Sequence, residues 1–136
     1  MNDVVLNKKF SIERCVEKIK SYYRVENGTT FDRDFMRQDA VAMNLQRACG
    51  QAIDLANYVI RDRKLGMPKT SRESFELLAL KGIISESVAM RLQKMVGLNI
   101  LVHEYQKELS ILQSIIENHL DDFIDYTHMI VKQFQD

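Results

Sequence analysis

The chain has few of the residues that punctuate a fold: its 136 residues include five glycines, one proline (Pro68) and no tryptophan. A sheet-rich protein needs frequent turns, and glycine and proline form many of them. Residues with high helix propensity recur along the whole chain. The composition therefore predicts an all-α protein, and the length predicts a single domain over residues 1–136.

An excess of charge of one sign is also absent, because 19 lysines and arginines are balanced by 19 aspartates and glutamates. A protein that binds nucleic acid through overall positive charge is not indicated, so any RNA contact must be local. The N-terminus lacks a basic start followed by an apolar run, and no stretch approaches about 18 apolar residues. We expect a soluble, cytoplasmic protein without membrane contact.

Cysteine is scarce, and both copies, Cys15 and Cys49, fall on apolar faces of predicted helices. A small buried hydrophobe is the ordinary role of such a thiol, with a disulfide or a metal site as the alternative. No histidine and carboxylate pair has the spacing of metal ligands, and no glycine-rich phosphate loop or nucleophile motif occurs. The sequence therefore predicts no metal and no cofactor.

Hydrophobic spacing near three and four residues predicts up to five helices. The first covers residues 4–23, and a longer one begins after a cap at Thr29 or Thr30 and ends before a left-handed Gly66. A short helix runs from a capping box of Ser71 and Ser74 to Gly82, another opens at 85, and the last covers 110–134. Three long and two shorter helices predict an antiparallel bundle.

The segment most suggestive of chemistry is KMVGLNILVHEY, residues 94–105. Gly97 is expected to interrupt the helix, and in an ideal helix His103 and Tyr105 would point to nearly opposite sides. Histidine donates and accepts protons near neutral pH, and a two-fold dimer would bring together two copies of His103 as acid and base for RNA transesterification. The alternative is a structural histidine, which a lone His on a helix more often is.

This segment is similar to the HEPN family of the HepT type, in which a motif arginine precedes a histidine that often continues as His-x-Tyr. Further stretches resemble the family, and the likeness extends to about residue 123. They are Gln38-Asp39-Ala40-Val41, Asn44-Leu45-Gln46-Arg47, Ile53-Asp54-Leu55-Ala56-Asn57, Ser71-Arg72-Glu73-Ser74-Phe75 and Lys94-Met95-Val96-Gly97-Leu98.

The resemblance implies a helical bundle that forms a homodimer or higher oligomer, with a metal-independent ribonuclease cleft between subunits. It implies a toxin that acts on RNA, tRNA in particular, and is encoded beside an MntA-like nucleotidyltransferase antitoxin. That partner would silence the toxin by transferring AMP to Tyr105, because a phosphate and nucleoside two residues from His103 would block the cleft. The implied site residues are His103 for proton transfer and Asn99 for contact with phosphate or sugar.

The sequence departs from the family at one point, because Gly97-Leu98 is followed directly by Asn99 and the motif arginine is missing. Arginine would hold a phosphate through two donors and keep its charge in the transition state. Arg47, Arg91 and Lys94 are the candidates to replace it. The alternative function is therefore a disarmed HEPN binding module that dimerises and binds the nucleotidyltransferase without cutting RNA.

Overall fold

The computed structural model describes residues 2–104 and 109–135. Within these ranges every regular element is helical, which confirms the all-α prediction, although six α-helices occur where up to five were predicted. The elements are α1 (Asp3–Arg24), a 3-10 turn (Phe31–Arg33), α2 (Phe35–Asp62), α3 (Ser71–Leu80), α4 (Glu86–Glu104), α5 (Leu109–Asn118) and α6 (Leu120–Lys132).

The first two helices form an antiparallel pair and make the most extensive contact between elements. The Asn2 side chain starts α1 by accepting hydrogen bonds from the backbone N–H groups of Val4 and Val5, at 2.9 and 3.1 Å. Its amide nitrogen also donates to the Tyr58 hydroxyl, 2.7 Å away near the end of α2. The start of α1 therefore lies beside the end of α2.

The N-terminal cap of α2 lies four residues later than the sequence suggested. Thr30 precedes the 3-10 turn and makes no capping bond through its side chain, so the prediction of Thr29 or Thr30 was wrong. The carboxylate of Asp34 caps the helix instead by accepting from the backbone N–H of Arg37 at 3.1 Å. Hydrogen bonds from the backbone and side chain of Arg37 lower the pKa of Asp34, because they favour its charged form.

Helix α2 ends on a left-handed residue, as expected, but that residue is Lys64 and not Gly66. Lys64 has φ +53°, and the N–H of Leu65 donates to the carbonyl of Ile60 at 2.9 Å, which closes the last turn. Such a turn supplies partners for carbonyls that the helix leaves unpaired. The prediction that α3 stops at Gly82, which has φ +75°, is confirmed.

The N-terminus of α3 is capped one residue before the position predicted. Thr70, rather than Ser71, accepts from the backbone N–H of Glu73 at 3.1 Å. Glu73 in turn accepts from the backbone N–H of Lys69 at 2.6 Å, so Glu73 takes the reciprocal part that had been assigned to Ser74. The pair satisfies two donors at the helix start.

The C-terminal stripe predicted as one helix over 110–134 is two helices, because the backbone departs from helical geometry at His119, with φ −126°. Nδ1 of His119 lies 3.3 Å from the carboxylate of Asp122 in the first turn of α6. Asn118 and His119 have modest helix propensity, and acidic Asp121 and Asp122 suit a new helix start. Hydrophobic spacing missed the break because one non-helical residue leaves that spacing almost unchanged.

One hydrophobic core runs between the helices, and its largest fully buried side chains include Tyr126, Phe75 and Phe123. Cys15 and Cys49 are buried free thiols, as predicted. Burial raises the pKa of Cys49 to about 12. In the part of the chain that the structure describes, no helix is both long and apolar enough to span a membrane.

Candidate functional site

Helix α4 carries the segment that the sequence singled out, and it continues without a break from Glu86 to Glu104. The expectation that Gly97 interrupts this helix was wrong. A Cβ at Gly97 would meet no atom within 4 Å among the described residues, apart from the neighbouring backbone of α4 itself, so no packing contact requires a glycine there. Burial recurs every three or four residues from Val88 to Val102, and one helical face therefore continues across the point where the motif arginine is missing.

Asn99 and His103 are one helical turn apart, so their side chains lie on the same face of α4. Oδ1 of Asn99 and Nε2 of His103 are both buried and have no hydrogen-bond partner among the described residues. An unpaired buried polar atom costs about 1 to 3 kcal/mol. Groups kept at such a cost are candidates for contact with a ligand or a partner.

His103 lines a groove of about 900 Å³ between α2, the end of α4 and the start of α5. We call it the His103 groove. Its apolar lining comprises Phe35, Ala42, Met43, Val102, Leu109 and Leu112. Its polar lining comprises Asp32, Gln38, Asp39, Gln46 and His103. Among the described residues, this lining includes no lysine or arginine. The described part of the groove therefore offers a histidine, amides and carboxylates to a ligand.

The three cations considered as replacements for the motif arginine do not line the groove. Arg91 lies 12 residues before His103, about 18 Å along the helix, and Nη1 donates to Asp122 and Asp125 at 2.8 Å each. Those hydrogen bonds, most of all the one that Asp125 accepts, raise the pKa of Arg91. Lys94 lies nine residues before His103, on the opposite face of α4. Arg47 is exposed on α2.

The wall of the groove opposite α4 is positioned by a buried arginine that sequence reasoning missed. Arg37 is 7% exposed, and its guanidinium donates to four backbone carbonyls, those of Tyr22 and Val25 at 3.0 Å, Tyr23 at 3.4 Å and Thr29 at 2.6 Å. Its Nε also donates to the Asp34 carboxylate at 2.9 Å.

These bonds join the end of α1 to the start of α2, which presents Phe35, Gln38 and Asp39 to the groove. Gln38 is itself fixed, because its amide donates to the carbonyl of Phe31 at 2.8 Å. The sequence feature that marks this wall is the pair of adjacent apolar residues Phe35 and Met36 at the start of α2. Both side chains are strongly exposed in the structure.

Tyr105, the predicted AMP acceptor, lies outside the described residues, because the first described range ends at residue 104. The other two histidines do not join His103 in the groove: His119 contacts Asp122, and His128 is exposed on α6. Across residues 2–104 and 109–135, no three histidines, cysteines or carboxylates form a group that could hold a metal ion.

Comparisons with known proteins agree with this geometry over nearly the whole chain. The family model described as ribonuclease HepT-like matches residues 12–130. The chain is 43% identical over 132 residues to the mRNA nuclease HepT of Shewanella oneidensis, which covers 96% of this chain and 98% of the relative.

Solved structures give the same result. A tri-AMPylated Shewanella oneidensis HEPN toxin in complex with an MNT antitoxin has a TM-score of 0.88 and 41% identity, covering 97% of this chain and 99% of that one. A toxin–antitoxin complex with AMP-PNP has a TM-score of 0.87 and 41% identity, covering 96% and 99%. The match over residues 12–130 and the 43% identity place the chain in the HepT-like ribonuclease family of HEPN proteins.

Proposed function

We propose that this chain is the toxin of a toxin–antitoxin pair and an endoribonuclease whose proton-transfer group is His103. The observation that carries the proposal concerns Asn99 and His103 on one face of α4: each has a buried polar atom without a partner among the described residues. His103 also lines the groove. Membership of the HepT-like ribonuclease family supports the ribonuclease activity.

The reaction proposed is transesterification by the RNA itself. The ribose 2′-hydroxyl attacks the adjacent phosphorus, the bond to the 5′-oxygen breaks, and a 2′,3′-cyclic phosphate forms. A base must take the proton of the 2′-hydroxyl, and an acid must give one to the departing 5′-oxygen. Histidine performs both tasks near neutral pH, and the Asn99 amide can hydrogen-bond a phosphate or sugar oxygen.

One protomer has only one histidine in the groove, so the proposed enzyme is a homodimer with a copy of His103 from each chain. The exposed apolar side chains beside the groove support this arrangement. Phe35 is 72% exposed and Met43 is 51% exposed, and Ile100 and Leu101 project from the same end of α4. A symmetric contact would bury these side chains and place each groove beside its partner.

The proposed antitoxin is an MntA-like nucleotidyltransferase that transfers AMP to Tyr105. A solved relative, 41% identical to this chain, is a tri-AMPylated toxin bound to an MNT antitoxin. Tyr105 lies two residues after His103 in the sequence, so an added AMP would bring bulk and negative charge close to the histidine. Both would oppose the entry of an RNA phosphate.

The alternative function is a disarmed binding module that dimerises and receives AMP but does not cut RNA. Its supporting observation is that the described lining of the His103 groove has no arginine or lysine. A transferring phosphate gains much of its stabilisation from fixed cationic donors. An arginine inserted between Leu98 and Asn99 restores the missing residue and separates the two proposals.

The test is an RNA-cleavage assay on the purified chain, on His103→Gln and on the form with the inserted arginine. Bulk tRNA and an mRNA are both used, because the resemblance implies tRNA and the Shewanella relative is named an mRNA nuclease. Cleavage by the natural chain in EDTA, lost in His103→Gln, supports the endoribonuclease. Cleavage by the inserted form alone supports the disarmed module. Cleavage by neither form contradicts the ribonuclease assignment.

The modification is tested by intact mass after incubation with the nucleotidyltransferase and ATP. The mass is expected to rise by one or more AMP groups, and Tyr105→Phe is expected to lose that rise. Tyr58→Phe is the control, because Tyr58 lies at the far end of α2, beside the start of α1. An unchanged mass increase in Tyr105→Phe would place the acceptor on another residue.

A further inference from the structure

A second groove, unconnected with His103, lies between α3 and α4 and has a volume of about 790 Å³. We call it the α3–α4 groove. Three of its lining residues are among the most exposed apolar side chains of the protein: Met67 is 95% exposed, Leu80 79% and Met90 68%. Pro68 and Leu77 extend the apolar surface between them. Isolated exposed apolar residues are ordinary, but a group in one concavity marks an interaction site.

The walls of this groove are held by hydrogen bonds before any partner arrives. The turn after α3 is closed by the N–H of Ile83, which donates to the carbonyl of Leu78 at 2.9 Å. Gln93 of α4 donates to the backbone carbonyl of Arg72 in α3 at 3.0 Å, which ties the two helices together. A preformed groove loses little conformational entropy on binding.

The rim of the α3–α4 groove is acidic. Its charged residues, within the described part of the chain, are Glu73, Glu76 and Glu86 against one cation, Arg72. Arg72 is already paired with Glu76, at 3.4 Å between Nε and Oε1. The remaining charge is negative, so the rim repels an RNA backbone and attracts lysine or arginine on a protein.

The position of this groove separates it from the proposed RNA cleft. Met90 lies 13 residues before His103 on α4, which corresponds to about 20 Å along the helix axis and to a different face. A protein bound at Met90 would therefore leave the His103 groove open. The two surfaces can be tested independently, and the inference does not depend on nuclease activity.

We propose that the α3–α4 groove docks an amphipathic helix of a partner protein, with apolar anchors on one face and lysine or arginine beside them. Apolar anchors spaced three, four and seven residues apart along the partner helix would lie on one of its faces. That face would contact Met67, Leu80 and Met90. Methionine adapts its shape to such anchors, and the glutamates of the rim pair with the partner's cations.

A second copy of this chain is a poorer occupant. One exposed apolar side chain that it offers beside lysines is Phe10, which follows Lys8 and Lys9. Lys8 already lies 3.6 Å from the Asp54 carboxylate, and Lys9 is paired with Glu13. A contact of α1 with the α3–α4 groove would also be head-to-tail, which gives open chains unless the rotation closes.

The test begins with a random library of displayed peptides of about 16 residues, a length that forms about four helical turns, selected against the full chain. Enriched peptides are synthesised, and their affinities are measured by fluorescence anisotropy. The expected peptides carry apolar residues at helical spacing together with lysine or arginine. Leu80→Asp is expected to weaken binding by more than about tenfold, and Glu86→Lys by a smaller factor.

Phe10→Asp is the matched control, because Phe10 is an exposed apolar residue on another surface. The affinity of this variant for the peptides is expected to stay within about twofold of that of the natural chain. Failure to enrich basic amphipathic peptides would overturn the proposal, as would equal binding by Leu80→Asp. Loss of self-association in Leu80→Asp, seen by sedimentation, would make a second copy the occupant and would also overturn it.

Discussion

Polar groups are buried in two places: at the corner around Arg37, where the end of α1 meets the start of α2, and on the face of α4 that carries Asn99 and His103. The two places differ in how these groups are paired. Arg37 donates to carbonyls at the end of α1 and to the carboxylate of Asp34. Asn99 and His103 each keep a buried atom without a partner among the described residues. We therefore expect the paired cluster to stabilise the fold, whereas the cluster with unpaired atoms is the candidate for contact with a ligand.

The largest effect on stability is expected at the paired corner. Arg37→Ala leaves the carbonyls of Tyr22, Val25 and Thr29 without this donor and should lower the free energy of unfolding by about 3 kcal/mol. Urea denaturation followed by circular dichroism measures the change. Arg33→Ala, which alters an exposed arginine nearby, should change it by less than about 0.5 kcal/mol. Equal losses in the two variants would show that the corner does not carry this stability.

A smaller effect is expected where one buried polar group has one partner. The hydroxyl of Tyr126 donates to the carbonyl of Ala52 at 2.8 Å, and the ring is fully buried. Burial raises the pKa of Tyr126 well above its usual value, so the hydroxyl stays protonated and remains a donor. Tyr126→Phe should lower the free energy of unfolding by about 1 kcal/mol in the same denaturation experiment. An unchanged value would mean that water replaces the lost donor at Ala52.

The contact between Asp34 and Arg37 should also make the free energy of unfolding depend on pH. The folded-state pKa of Asp34 is lowered by its hydrogen bonds with Arg37. Its contribution is therefore present above the unfolded pKa of about 4 and is lost as pH falls through the lower folded value. Denaturation midpoints measured from pH 6 to pH 2 should fall less steeply in Asp34→Asn than in the natural chain. If the midpoints of the two proteins fell equally with pH, Asp34 would not contribute to the pH dependence of stability.

Much of the fold could be predicted from the sequence because hydrophobic spacing marks the buried faces of α1, α2 and α3. The helix ends were harder to predict, because neighbouring residues compete for each capping position. Asp34 caps α2 although Thr30 is an equally suitable residue type, and Lys64 takes the left-handed position although Gly66 is nearby. The break at His119 was missed because hydrophobic spacing continues through it.

The candidate site was predicted in part. The sequence named Asn99 and His103 as site residues, and the structure puts both on one face of α4. Each has a buried atom without a partner among the described residues. Spacing along one helix could not reveal the opposite wall of the groove. That wall comes from α2 and is held by Arg37, whose backbone carbonyl partners lie 8 to 15 residues away in the sequence.

His103→Leu, which should change stability least and function most, tests the central claim directly. Because Nε2 of His103 has no partner in the described chain, an apolar replacement should leave the free energy of unfolding within about 0.5 kcal/mol of the natural value, or raise it. RNA cleavage by the same preparation should be lost. A loss of stability like that of Arg37→Ala, or full cleavage by His103→Leu, would contradict the account.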